Sequence, residues 1–144
     1  MIQDREKLSR LHAELDPSRR IDIGALLRGA EEAIGEERFD DADAILSGAL
    51  IVDPNLSTTW RLIGHLAEER GELEDAERAY RTAMELGHDE GATLELARLL
   101  MSIARFEESE ALLVWLVTES ESPQLSRTAE DLLQLIENRR RRLS

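Results

Sequence analysis

The sequence predicts an all-α chain, a helical-repeat solenoid of three helix pairs with a capping helix at each end. Three observations lead there. Only three residues are proline and eight are glycine in 144, which suits long helices on short turns better than a sheet. Apolar residues recur at helical spacing along the whole chain. And the sequence matches itself when slid by 34 residues and then by 33.

The leading element spans 1–20 as a helix and linker. Leu8, Leu11 and Leu15 share one helical face, and Asp16-Pro17-Ser18 ends it. The first repeat covers 23–56, the second 57–89 and the third 90–122. Under the 34-residue shift, Leu26 falls on Trp60, Ala30 on Gly64, Phe39 on Leu73, Ala42 on Ala76, Leu46 on Tyr80 and Ala49 on Ala83. Under the 33-residue shift, Trp60 meets Thr93, Gly64 meets Ala97, Leu73 meets Phe106 and Tyr80 meets Leu113. Small residues at Ala30, Gly64 and Ala97, and at Ala42, Ala76 and Ser109, let helix axes approach. Leu46, Tyr80 and Leu113 fill the space between neighbours. The trailing helix, 123–144, starts with Ser122 as N-cap and Pro123 at the first helical position. Leu125, Ala129, Leu132, Leu133 and Ile136 form its apolar stripe. Eight helices are expected, all in one domain.

Composition removes several function classes. A net charge of −13 repels a phosphate backbone, and 3% aromatic content leaves no stacking platform, so nucleic acid is not an expected partner. No apolar run of 18 residues is present, so no membrane-spanning helix is expected. The N-terminus is polar and acidic, unlike a signal or transit peptide. Without cysteine there is neither a disulfide framework nor thiolate chemistry, and an intracellular, cytoplasmic setting is the simplest reading. Lys7 stands alone against seventeen arginines, which points to a GC-rich, bacterial genome.

No constellation carries catalysis or a cofactor. His12, His65 and His88 sit in separate segments and supply no zinc set. Asp40, Asp41 and Asp43 lack the glycine and glutamate that an EF-hand loop requires, and read as first-turn acids. Gly29, Gly35 and Gly48 follow no strand and precede no GKS/T. Arg139–Arg142 reads as cations complementing a helix C-terminus. The chain is expected to be no enzyme, with no metal and no cofactor.

The repeats resemble the tetratricopeptide repeat, W-x2-L-G-x2-Y, then A-x3-F, then P. The middle copy reads Trp60-x2-Ile63-Gly64-x2-Ala67, then Ala76-x3-Tyr80-x2-Ala83. The first has Phe39, Ala42-x3-Leu46-x2-Ala49 and Pro54, and the third has Phe106 and Ser109-x3-Leu113-x2-Leu116. The resemblance covers about residues 23–123. It implies a concave face lined by the first helix of each pair. The matching groove positions are Leu27, Glu31 and Ile34, then Arg61, His65 and Glu68, then Leu94, Arg98 and Met101. Leu27, Ile34, Leu94 and Met101 are expected to form an exposed apolar patch, and Arg61 and Arg98 to meet a partner's carboxylates or carbonyls. The Lys/Asn clamp of chaperone-tail adaptors is absent, since Leu27 and Glu31 stand in its places.

The layout of leading helix, three repeats and trailing helix is similar to the class II chaperones of type III secretion. That resemblance implies a groove that holds an apolar segment of a translocator before export, and a homodimer through the leading region, with Leu8, Leu11 and Leu15 as the candidate dimer contact. A general scaffold or adaptor of a pilus, motility or signalling assembly has the same layout. Both readings make the expected partner another protein or peptide segment.

Overall fold

The computed structural model describes residues 5–6 and 21–143. Seven helices follow one another between 21 and 143, with no strand among the described residues. They are α1 (Ile23–Gly35), α2 (Phe39–Val52), α3 (Ser57–Glu69), α4 (Leu73–Gly87), α5 (Glu90–Ser102), α6 (Phe106–Glu119) and α7 (Pro123–Leu143). Leu8, Leu11 and Leu15 of the expected leading helix lie outside the described residues.

The turn inside each pair is one device used three times. A residue with positive φ ends the first helix: Glu37 at 60°, Gly71 at 76° and Ala104 at 62°. The next amide donates back across the turn, Arg38 N to Ala33 O at 2.8 Å, Glu72 N to Ala67 O at 2.8 Å and Arg105 N to Leu100 O at 2.9 Å. This Schellman arrangement satisfies carbonyls that the helix end leaves open. The second helix then starts at once, without a side-chain cap. Two of the helices that open a pair, α1 and α5, and also α7, carry a side-chain cap, whereas α3 has none. Asp22 accepts from the Ala25 amide at 3.1 Å, Asp89 from Ala92 at 3.1 Å and Ser122 from Leu125 at 3.3 Å. Between the first two pairs, Trp60 Nε1 donates to Pro54 O at 3.1 Å, tying the linker to the helix it leads into.

Packing follows the pairs and then joins them. α1 packs on α2, α3 on α4 and α5 on α6. Each second helix also meets the next first helix, and α6 meets α7. In addition α1 touches α3, and α5 touches α7. At the crossings Ala30, Ala42, Ala76, Ala97 and Ser109 are wholly buried, with Leu46, Tyr80 and Leu113 beside them. Ser109 Oγ donates to Ala97 O at 2.8 Å, so the one hydroxyl among those small residues is satisfied.

The tightest point is Gly64 in α3. A Cβ there would stand 2.6 Å from Cε1 and 2.7 Å from Cδ1 of the Tyr80 ring in α4. Only hydrogen fits between them, and Tyr80 is wholly buried with nowhere to retreat. Gly29 in α1 is different, since a Cβ there would meet only Ile45 Cδ1, at 3.9 Å. Gly64→Ala is therefore expected to destabilise the chain by about 1–3 kcal/mol despite alanine's better helix propensity. Gly29→Ala should stabilise it by about 0.5–1 kcal/mol. Urea unfolding of the two variants measures both.

Candidate functional site

The groove residues expected from the sequence divide into two groups. Leu27, Ile34 and Leu94 are core, with 8%, 3% and 6% of their surface exposed. This corrects the expectation of an exposed patch. Leu27 and Ile34 pack with Leu62 and Leu66 of α3. Leu94 packs with Leu113 and Leu116 of α6 and with Ala129 and Ile136 of α7. The reason is geometric. α1 touches α3 as well as α2, and α5 touches α7 as well as α6, so the apolar belt of these two helices is wider than one stripe.

The remaining positions reach the surface. Glu31, His65 and Arg98 are exposed, while Arg61, Glu68 and Met101 are partly so. Arg61 Nε lies 3.5 Å from Asp89 Oδ2, so its charge is matched within the fold by the residue that caps α5. His65 Nε2 lies 3.6 Å from Glu69, and Arg98 lies 3.4 Å from Glu95. Glu68 is pushed above the usual carboxylate range. Burial is the main cause, the Tyr80 hydroxyl offsets part of it, and the charge of Glu95 adds to it. The Tyr80 hydroxyl is pushed far up, first by burial and then by Glu68 and Glu95. Between α3 and α5, Ala67 joins Leu96, Leu99 and Leu100 in one buried apolar cluster, and Arg61, Glu68 and Glu95 add polar groups beside it.

The open apolar surface is at the far end. α7 has 21 residues and α5 has 13. At 1.5 Å per residue, α7 outruns α5 by roughly 12 Å. A cavity of about 700 Å³ lies where α7 continues past the end of α5. Met101 and Phe106 form one wall, and Leu132, Leu135 and Ile136 form the other. Leu135 is 56% exposed. Arg98, Asn138, Arg139 and Arg142 stand around them. Arg98 and Met101 are thus the two expected groove residues that this cavity brings together.

Phe106, Leu135, Arg139 and Arg142 were not among the expected site residues. Their signal was present in the helical spacing, because 132, 135, 139 and 142 step by three and four along one face of α7. That face becomes a site only because α7 overhangs α5. A smaller hollow of about 300 Å³ lies on another face, between Met84, His88, Thr93, Leu112 and the half-exposed Trp115. Among the described residues, no group of three or more His, Cys, Asp or Glu is placed to hold a metal ion, and no helix is long and apolar enough to cross a membrane.

No protein-family model and no curated protein sequence matches the chain. Solved structures do. The type III secretion translocator chaperone SycD of Yersinia enterocolitica superposes with a TM-score of 0.70 at 16% identity, over 82% of this chain and 93% of that one. The same chaperone in complex with a peptide of the translocator YopD gives 0.69 at 16% identity, over 81% and 93%. The TPR domain of Arabidopsis OM64 gives 0.63 at 18% identity, over 78% and 93%. The likeness is one of fold: like these structures, the chain is an all-α helical-repeat solenoid.

The raised carboxyl of Glu68 has a signed consequence. A carboxyl raised by folding binds its proton more tightly in the folded chain, so its ionised form opposes folding at neutral pH. That opposition fades as pH falls through the raised value. It is gone below the ordinary value of 4.5, where the carboxyl is protonated in both states. Glu68→Gln should therefore raise the urea midpoint at about pH 7, and the gain should vanish near pH 4. Parallel urea titrations at the two pH values check it.

Proposed function

We propose that this chain is a protein-binding module, not an enzyme, that holds a short extended or helical segment of a partner protein. The observation that carries the proposal is the open cavity beside α7. Apolar side chains of Met101, Phe106, Leu132 and Leu135 are left accessible there in an otherwise highly charged chain. A recessed apolar surface with a few polar groups around it is the general form of a binding site. Met101 adds a flexible, polarisable contact that adapts to varied side chains.

The finer reading is a bacterial, cytoplasmic chaperone for a translocator of type III secretion. The likeness to SycD, alone and with a translocator peptide, supports it. So does the layout of three helix pairs followed by a trailing helix. In this reading the cavity shields an apolar segment of the client until export. A second reading, a scaffold or adaptor of a bacterial assembly, is favoured by one different observation. Trp115 and Val114 are exposed on α6, away from the α7 cavity, where they suit the surface of a folded partner.

The test is a native pull-down read by mass spectrometry, comparing wild type with Met101→Glu, Leu135→Glu. Both substituted side chains reach the surface, so circular dichroism should show an unchanged fold; Leu94 is core and is unsuitable for such a test. A partner captured by wild type and lost by the double variant is the expected result. Retention of that partner by the double variant, and its loss on Trp115→Glu, would move the site to the other face and support the scaffold. In cells, a chaperone should prolong its client's lifetime, whereas a scaffold should leave it unchanged.

A further inference from the structure

The charges around the α7 cavity are of one sign, and that sign is opposite to the chain's. The protein carries 31 acidic residues and a net charge of −13, yet no Asp or Glu lines the cavity, and Arg98, Arg139 and Arg142 do. The arginine run of α7 is sorted by face. Arg140 reaches Glu110 at 2.6 Å and Arg141 reaches Glu137 at 3.5 Å, so these two are matched within the fold. Arg139 and Arg142, three apart and on the same side, turn to the cavity. The Arg139 guanidinium lies 5.5 Å from the Phe106 ring centroid, which holds it over the apolar wall. Neither Arg139 nor Arg142 has an ion pair among the described residues.

Resting on the groove reading above, we propose that the cavity takes an acidic amphipathic segment of a partner protein. Aliphatic side chains of the segment enter between Met101, Leu132 and Leu135. Its Asp or Glu residues meet Arg98, Arg139 and Arg142. Arg98 is held by Glu95 at 3.4 Å and can exchange that exposed contact for the partner's carboxylate. Guanidinium groups beside an apolar surface attract carboxylates more strongly than they would in open water. The volume lies within the roughly 300–1,000 Å³ of ordinary ligand sites, which suits a few side chains of one segment and not a folded surface.

The probes are fluorescent peptides of one length: a leucine/glutamate amphipathic helix, its leucine/lysine counterpart, and a serine/glutamate control. Anisotropy titrations are expected to show the leucine/glutamate peptide binding about 10-fold or more tightly than the lysine peptide, with the serine control silent and the affinity falling with salt. Arg139→Glu, Arg142→Glu should erase or reverse that preference, while Arg141→Glu should keep it. Equal binding of both leucine peptides, lost in Met101→Glu, Leu135→Glu, overturns the acidic partner and leaves the groove reading standing. No binding by any probe overturns the inference, and an empty pull-down would take the groove reading with it. Two further outcomes overturn it in favour of another occupant. One is preferential, Arg139- and Arg142-dependent sedimentation with phosphatidylcholine–phosphatidylserine vesicles. The other is self-association of wild type that the charge-reversed variant abolishes.

Discussion

The structure depends on how closely the first and second helix of each pair can lie. At Gly64 the approach leaves room for a hydrogen and nothing larger, because the Tyr80 ring occupies the space a Cβ would need. Ala30 with Ala42, and Ala97 with Ser109, stand at the corresponding points of the other pairs and are just as buried. Close axes let Leu46, Tyr80 and Leu113 bury themselves between neighbouring helices, and such filling sets the relative orientation of successive pairs. The identical turns at Glu37, Gly71 and Ala104 return the chain in the same direction each time. One spacing rule and one turn, repeated, therefore generate the stack.

The stack ends where the repetition stops, and the site arises there. α7 takes the place that the first helix of a fourth pair would hold, but no second helix follows it within the described residues. One face of it is covered by α6 and α5, where Ala129 and Ile136 join Leu113 and Leu116. Another face, running toward the end that outruns α5, leaves Leu135 and Leu143 exposed. Arg98, Arg139 and Arg142 stand beside the open apolar surface, and no acidic side chain lines it. Apolar surface and charge of one sign thus coincide because of a length difference between two helices.

Much of the fold was legible in the sequence. Trp60, Gly64, Tyr80 and their counterparts mark the register because each residue type answers a local steric demand that any copy of the repeat must meet. Proline and N-cap residues mark helix starts for an equally local reason. The site was legible only in part. Leu27, Ile34 and Leu94 were read as surface because a single helix shows one core stripe, whereas α1 and α5 are covered on two sides. The polarity of the same positions in the second repeat, Arg61, His65 and Glu68, was the sign that polar groups would stand beside its seam with α5. Reading it required knowing which helix lies against which.

By itself the sequence determined the helical class, the number of pairs, the turn positions and the absence of a three-residue zinc motif. These follow from residue type and spacing along one chain, where neighbours are set by covalent order and helical pitch. Only the tertiary structure decided which apolar residues stay open and which arginines are left unmatched. Exposure and ion pairing depend on residues far apart in sequence. Arg140 is matched only because the fold stands Glu110, thirty residues away, opposite it.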